Sequence, residues 1–200
     1  MTDEAELLHR FWFGELPARG LPDPAARRRW FAGGDAFDRE CARAFGPLLD
    51  QALVGGLVDW LDDPRGALAL VLLLDQIPRN VCRGTARAFS GDLRALEIAT
   101  RSVDAGKDAA LQPVERYFLY MPFEHAEDPR AQARSVALFQ KLADEALPGD
   151  GDLFANALRW AERHAAVIDR FGRFPGRNQA LDREATAEES AYLAEHPAGF

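Results

Sequence analysis

The sequence has few of the residues from which metal, disulfide and nucleotide sites are usually built. Its 200 residues include two cysteines, Cys41 and Cys82, which lie in unrelated segments and form no CxxC pair. Neither a zinc site nor a disulfide framework is therefore predicted. The sequence also lacks a GxxxxGK[ST] loop, a GxGxxG turn and a GxSxG elbow, which excludes nucleotide binding and serine catalysis through those motifs. We expect no bound metal and no cofactor.

Strand-forming residues are also scarce. The chain has 8 valines and 3 isoleucines against 35 alanines and 25 leucines, a balance that favours helices and predicts an all-α fold. The most apolar run, Ala67 to Leu74, is too short to span a bilayer. The acidic segment Met1 to Arg10 lacks the basic and apolar stretches of a secretory signal. We therefore expect a cytoplasmic protein without a membrane segment.

The chain is acidic overall, and nearly all of its basic residues are arginines. A net charge of -8 argues against a nucleic-acid partner, because non-specific binding to nucleic acid depends on cations that neutralise phosphates. All of the 24 basic residues except Lys107 and Lys141 are arginines. A coding bias towards G and C explains most surface arginines, but an arginine inside a compact motif indicates planar, bidentate recognition of an anion.

Helix start signals recur along the whole chain, each pairing a capping side chain with the first helical turn. They are Thr2-Asp3, Asp23-Pro24, Asp63-Pro64, Asp92, Asp128-Pro129 and the Thr186/Glu189 capping box. No linker interrupts the series, since the loop Pro148 to Asp152 is short. We predict one domain over residues 1–200, with about eight helices in a tetratricopeptide-like right-handed α-α superhelix, although the 34-residue repeat signature is not readable.

Two segments repeat the same pattern after predicted helices: Ile77-Pro78-Arg79-Asn80 and Phe174-Pro175-Gly176-Arg177-Asn178. In each, the proline is expected to stop the helix, and the Arg-Asn pair carries donors that reach helix-terminal carbonyls. One interpretation is structural, with the arginines capping helices and pairing with buried aspartates such as Asp75. The other is that the guanidinium groups converge on an anion.

A polar and aromatic stretch, residues 115–127, lies between these two segments. Pro122 is expected to end a helix, which would place Glu124, His125 and Glu127 in a loop that His164 approaches from the long helix after residue 152. A histidine beside a carboxylate can act as a general acid or base. The spacing does not match the HExxH or paired ExxH motifs of metal sites, and a purely structural role for both histidines remains open.

These residues resemble a bacterial family of unknown function, DUF924, over nearly the whole chain. The resemblance is carried by four ordered blocks: Phe11-Trp12-Phe13-Gly14, Leu72 to Asn80, Glu115 to Glu127 and Phe171 to Asn178. It implies a tetratricopeptide-like helical fold and brings no activity, substrate or cofactor. The chain departs from the family pattern at Gly176, where histidine is usual, and at Asp182, where glycine is usual, which favours a binding role over catalysis by that histidine.

Three functional hypotheses follow. The first is a helical binding protein that holds a small anionic ligand in a polar Arg/Asn/His pocket containing His125. Its predicted ligand-binding residues are Asp75, Arg79, Asn80, Arg173, Arg177 and Asn178. The second is an enzyme in which His125 or His164 acts as general acid or base, tuned by Glu124 or Glu127. The third is a scaffold whose concave face binds a protein partner.

Overall fold

The computed structural model describes residues 1–17, 21–32, 34–147, 149–197 and 199, and these residues form helices and turns without a β-strand. The all-α prediction is confirmed. The α-helices are α1 (Asp3–Phe13), α2 (Pro24–Ala32), α3 (Gly34–Leu53), α4 (Pro64–Val71), α5 (Ile77–Val81), α6 (Asp92–Asp104), α7 (Pro113–Glu124), α8 (Pro129–Asp144), α9 (Gly151–Phe171) and α10 (Ala187–Glu195). Short 3-10 segments lie at Val58–Asp62, Ala86–Phe89, Lys107–Ala110 and Pro175–Arg177.

The π-helical segment Leu72–Gln76 joins α4 to α5, so the described ranges contain nine helices when these two are counted as one. This number agrees with the prediction of about eight. The superhelical arrangement, and with it the concave face of the scaffold hypothesis, stays a prediction. Among the described helices, none combines the length and the apolar composition that crossing a membrane requires.

The chain divides into two compact units. The first unit contains Met1–Arg83 and Arg87–Pro122, and the second contains Gly84–Ala86 and Phe123–Phe200. In the first unit, α3 packs against α5, and α4 packs against α1 and α6. In the second, α8 packs along α9, and α10 contacts the 3-10 segment Pro175–Arg177. The expectation of a single domain over residues 1–200 stays a prediction.

Most of the predicted helix starts are formed by side-chain caps. Thr2 Oγ1 accepts a hydrogen bond from the backbone N–H of Ala5 at 3.3 Å, and Asp63 and Asp128 cap α4 and α8 in the same way. Thr186 and Glu189 form the complete capping box of α10. Each cap satisfies a backbone donor that the first helical turn leaves without a partner, which is why these starts are readable from sequence. Of the predicted loop Pro148 to Asp152, Pro148 lies outside the described residues, and α9 already begins at Gly151.

The prediction that Pro78 stops a helix is wrong, because the helix continues to Val81. Pro78 has no N–H to donate to the carbonyl of Leu74, its partner in a regular α-helix. The π-helical segment Leu72–Gln76 has a wider turn, and α5 begins directly after it at Ile77. Pro78 therefore lies in the first turn of α5, where a missing N–H costs little. The preceding residues Leu68 to Leu74 are all fully buried, because a helical segment without a polar face requires neighbours on all sides.

The carbonyl of Leu74 lies against Gly91, where an added Cβ would stand 2.2 Å from the oxygen. We predict that Gly91→Ala lowers the free energy of unfolding by about 1–3 kcal/mol, because the clash is with backbone that cannot rotate away. Gly151→Ala is the matched control: it lies in the first turn of α9 with nothing within 4 Å of the added Cβ. It should raise that free energy by about 0.5–1 kcal/mol. Urea unfolding measures the free energy of unfolding of both variants. A change in the same direction in both would contradict the predicted clash at Gly91.

A further expectation is corrected in α6. Asp92 does not cap the helix: the N-cap is Gly91, and the Asp92 carboxylate pairs with Arg79. Leu93 points outwards and is 85% exposed, whereas Ala95 and Ile98 are buried. The buried residues follow the helical spacing from Ala95, and Leu93 stands about 200° from Ala95 around the helix axis.

The prediction that Pro122 ends α7 is also wrong, because the helix continues to Glu124. A proline removes one helical N–H, and α7 tolerates that loss two residues before its end. Glu124 is therefore helical, and the connection to α8 begins at His125 and includes Glu127.

Candidate functional site

In the first unit, the predicted residues Asp75, Arg79 and Asn80 form a local hydrogen-bonded group. Asp75 is fully buried in the π-helical segment, and Gln76 Nε2 donates to its carboxylate at 2.6 Å. Arg79 Nη1 donates to the Asp75 backbone carbonyl at 2.7 Å, and both Nη atoms donate to the carboxylate of Asp92 at 2.7 and 3.0 Å. Asn80 Nδ2 donates to the Gln76 carbonyl at 3.0 Å. These contacts agree with the structural interpretation of the first Pro-Arg-Asn segment.

A second buried polar group of the first unit surrounds Glu115, which is fully buried. His9 Nε2 lies 2.6 Å from Glu115 Oε1, Arg65 Nε lies 2.9 Å from the same oxygen, and Gln112 N–H donates to Oε2 at 2.7 Å. Burial raises the pKa of Glu115, but the hydrogen bonds from His9 and Gln112 and the charge of Arg65 outweigh burial and hold it below its usual value. Sequence gives no signal for this group, because its members lie on α1, α4 and α7.

In the second unit, Arg183 and Glu127 form a bidentate ion pair. Arg183 Nη1 and Nη2 donate to the Glu127 carboxylate at 2.6 and 3.0 Å, and the backbone N–H of Phe174 donates to the same carboxylate at 2.8 Å. Arg183 also donates to the Phe174 carbonyl and to Asn178 Oδ1. Burial raises the pKa of Glu127, and the bonds from Arg183 and Phe174 outweigh it and lower that pKa overall. Arg183 follows no motif, so sequence did not indicate it.

Glu189 connects the other predicted residues of this unit. Arg173 Nε and Nη2 donate to its two oxygens at 2.6 and 2.8 Å, and Asn178 Nδ2 donates to Oε2 at 3.2 Å. The backbone N–H of Thr186 donates to the same oxygen at 2.8 Å. The hydrogen bond from Arg173, partly opposed by burial, lowers the pKa of Glu189 to about 2. Arg173 and Asn178 therefore connect the segment that follows α9 to the first turn of α10.

The predicted histidine site lies in the same unit. His164 Nδ1 is 2.8 Å from the carbonyl of Trp160 and 3.4 Å from Glu124 Oε1, and both His164 and Glu124 are buried. The ring centroids of His125 and His164 are 6.3 Å apart. Arg177 stacks over Phe174, with its Cζ 4.7 Å from the ring centroid, and donates to the His125 carbonyl at 2.8 Å.

The second unit thus brings together Glu124, His125 and His164, with Arg177 beside them. The acid–base role of these histidines stays a prediction. Arg79 and Arg177 belong to different units, so their convergence on one anion stays a prediction too. Within the described ranges, no group of three or more His, Cys, Asp or Glu side chains is arranged to hold a metal ion.

A cleft of about 320 Å³ opens in the second unit beside α9 and α10. It is lined by Arg163, Ala166, Val167, Arg170, Phe171, Tyr192 and His196. Arg170 donates through Nε to Glu188 at 2.9 Å, and its Cζ lies 4.7 Å from the Phe171 ring centroid and 5.4 Å from that of Tyr192. The sequence motifs do not predict this cleft, because its residues come from two helices and lie outside both Pro-Arg-Asn segments.

Comparisons with known proteins place the chain among proteins without an assigned activity. A family model described as "bacterial protein of unknown function (DUF924)" matches residues 8–197. A solved protein of unknown function from Agrobacterium tumefaciens is 37% identical in sequence, with a TM-score of 0.80 over 96% of this chain and 97% of that chain. No curated protein matches the chain.

Proposed function

The chain belongs to the DUF924 family of bacterial proteins of unknown function, and we propose that it is a helical binding protein that holds a small anionic ligand in the cleft beside α9 and α10. The observation that carries this proposal is the pair Arg163 and Arg170, both of which line the cleft. Residues seven apart on an α-helix lie on one face, with their Cα atoms about 10 Å apart along the axis. One anion held between two flexible arginine side chains fits that spacing.

The two arginines differ in the groups that they contact. Arg163 stacks over Trp160 at 5.0 Å and, among the described residues, has no carboxylate partner. Arg170 pairs with Glu188, whose side chain is 62% exposed, so that ion pair is weak and open to exchange. A ligand carboxylate or phosphate therefore gains charge-assisted hydrogen bonds from Arg163 without displacing a buried partner.

The remaining walls of the cleft are mostly apolar. Val167 is buried, and Phe171 and Tyr192 pack against the core formed by Val167, Ile168 and Phe174. Ligand pockets typically combine such apolar walls with a few polar groups that fix orientation. The volume of about 320 Å³ lies at the lower end of the usual range of roughly 300–1,000 Å³, which limits the ligand to a small molecule.

We assign Arg173 and Asn178 a positioning role in this proposal. Arg173 and Asn178 bind Glu189 on α10, and Glu189 follows Glu188, the partner of Arg170. Fixing α10 in this way holds Tyr192 against Phe171, where the two ring centroids are 5.1 Å apart. Asp75, Arg79 and Asn80 take no part in the proposed cleft, since they belong to the first unit.

The test is a binding titration with phosphate, acetate and benzoate by isothermal calorimetry, together with thermal unfolding. We expect at least one anion to bind and Arg163→Gln to weaken its binding about tenfold or more, because a charge-assisted hydrogen bond is lost. Arg159→Gln is the matched control, since it removes the same charge from α9 outside the cleft. Phosphate raises the melting temperature of many proteins non-specifically, so the difference between the two variants is the informative quantity. Equal affinities in both variants, or binding of none of the three anions, would refute the proposal.

A further inference from the structure

We infer that the anionic ligand of the α9–α10 cleft is planar and aromatic, an aryl carboxylate in chemical class. This inference rests on the proposed function and adds the chemical nature of the uncharged part of the ligand. Five of the seven lining side chains are planar π systems, namely Arg163, Arg170, Phe171, Tyr192 and His196. The other two are Ala166 and Val167. A ligand that enters this cleft therefore meets flat groups on most of its surface.

Several of the flat groups are already in contact with each other, with their planes tilted. The rings of Tyr192 and His196 have centroids 4.4 Å apart and planes inclined by 32°. The rings of Phe171 and Tyr192 are 5.1 Å apart and inclined by 59°. The Arg170 guanidinium lies over both Phe171 and Tyr192. The Phe171–Tyr192 separation is in the range that aromatic pairs prefer, about 4.5–7 Å, and the Tyr192–His196 separation is just below it, so these side chains form one aromatic wall of the cleft.

Such a surface distinguishes ligand bodies of equal charge and similar size. An aromatic ring gains offset stacking on Tyr192 or His196 and a cation–π contact with a guanidinium, in addition to the area that it buries. A saturated ring of the same size gains the buried area alone. A bare inorganic anion gains neither contribution and relies on the arginines only. The carboxylate of an aryl acid places its charge in the ring plane, so one ligand can reach Arg163 while its ring lies on the aromatic wall.

The experiment compares benzoate, cyclohexanecarboxylate and inorganic phosphate on the wild-type protein by NMR titration, which measures dissociation constants into the millimolar range. Benzoate and cyclohexanecarboxylate carry the same charge on six-membered rings and differ mainly in planarity. We expect benzoate to bind about two- to tenfold more tightly than cyclohexanecarboxylate, the factor that an aromatic contact contributes beyond buried area. Phosphate should bind more weakly than benzoate.

Each outcome decides one of the two proposals. If cyclohexanecarboxylate or phosphate binds at least as tightly as benzoate, the aromatic inference is wrong and anion binding survives. If none of the three perturbs the cleft residues, the proposed function itself fails. Tyr192→Leu supplies an independent check: provided that its spectrum shows a folded protein, it should reduce the preference for benzoate, to which His196 and the guanidinium groups still contribute, and keep residual binding of cyclohexanecarboxylate. An unchanged preference in that variant would contradict stacking on Tyr192.

Discussion

Glu115→Ala is expected to lower the free energy of unfolding by about 3–5 kcal/mol, the usual cost of removing one partner from a buried charged pair. Glu115 is fully buried and accepts contacts from His9, Arg65 and the backbone N–H of Gln112. The alanine variant leaves His9, itself only 6% exposed, without its polar partner in a site with little access to water. Urea unfolding at neutral pH measures the loss. The slope of the free energy of unfolding against urea concentration should be the same in the variant and in the wild type.

Glu97→Ala is the matched control for this prediction. Its side chain is 56% exposed and pairs with Arg101 one helical turn away in α6. An exposed pair of this kind contributes about 0–1 kcal/mol. Equal losses in the two variants would show that burial of the Glu115 group does not determine its contribution to stability.

Glu189→Ala is expected to cost about 2–4 kcal/mol, because one carboxylate serves the capping box of α10, Arg173 and Asn178 together. Glu188→Ala is the neighbouring control: its exposed side chain pairs with Arg170 alone and should contribute about 0–1 kcal/mol. Urea unfolding followed by far-ultraviolet circular dichroism measures the two losses. Similar small losses from both variants would contradict the role assigned to Glu189.

The same carboxylate predicts a dependence of stability on pH. The pKa of Glu189 lies at about 2 in the folded state against an ordinary value of 4.5. Between these two pH values the unfolded chain binds more protons than the folded protein, so the free energy of unfolding rises with pH. The contribution of Glu189 is complete above about pH 4.5 and is lost as the pH falls towards 2. Glu115 and Glu127, whose pKa values are also lowered, act in the same direction. Urea unfolding between pH 6 and about pH 3 should show a shallower slope in Glu189→Gln than in the wild type. An identical slope would indicate that Glu189 has an ordinary pKa.

Local sequence signals predicted much of the fold because helix caps act within three or four residues. Thr2, Asp63 and the Thr186/Glu189 box each bind backbone of their own first turn, and the spacing alone identifies them. Burial of residues 68–74 was likewise readable, since a helix without a polar face requires neighbours on all sides. In each case the physical cause and the sequence signal occupy the same few residues.

The prolines show where local reasoning fails. Pro78 and Pro122 each remove one helical N–H, and sequence alone does not reveal whether the helix ends or adapts. At Pro78 the helix adapts through a π-helical segment that also brings the Leu74 carbonyl against Gly91. That arrangement depends on the packing of α6, so residues near Pro78 do not encode it by themselves.

The polar groups of the two units depend on contacts that are distant in sequence. His9 meets Glu115 across 106 residues, and Arg183 meets Glu127 across 56. The sequence showed that Glu127, Arg173 and Asn178 were unusual, but it did not identify Arg183 and Glu189 as their partners. The cleft is equally non-local, because Arg163 on α9 lines it together with Tyr192 on α10.

An assigned NMR titration with benzoate that follows the backbone amides and the arginine Nε–H groups of the whole chain tests the proposed ligand site most directly. We predict saturable shifts at Arg163, Arg170, Tyr192 and His196, lost in Arg163→Gln and kept in Arg159→Gln. Shifts confined to the surroundings of Arg177 and His125 or of Arg79, or no saturable shift at all, would contradict the assignment of the ligand site to the α9–α10 cleft.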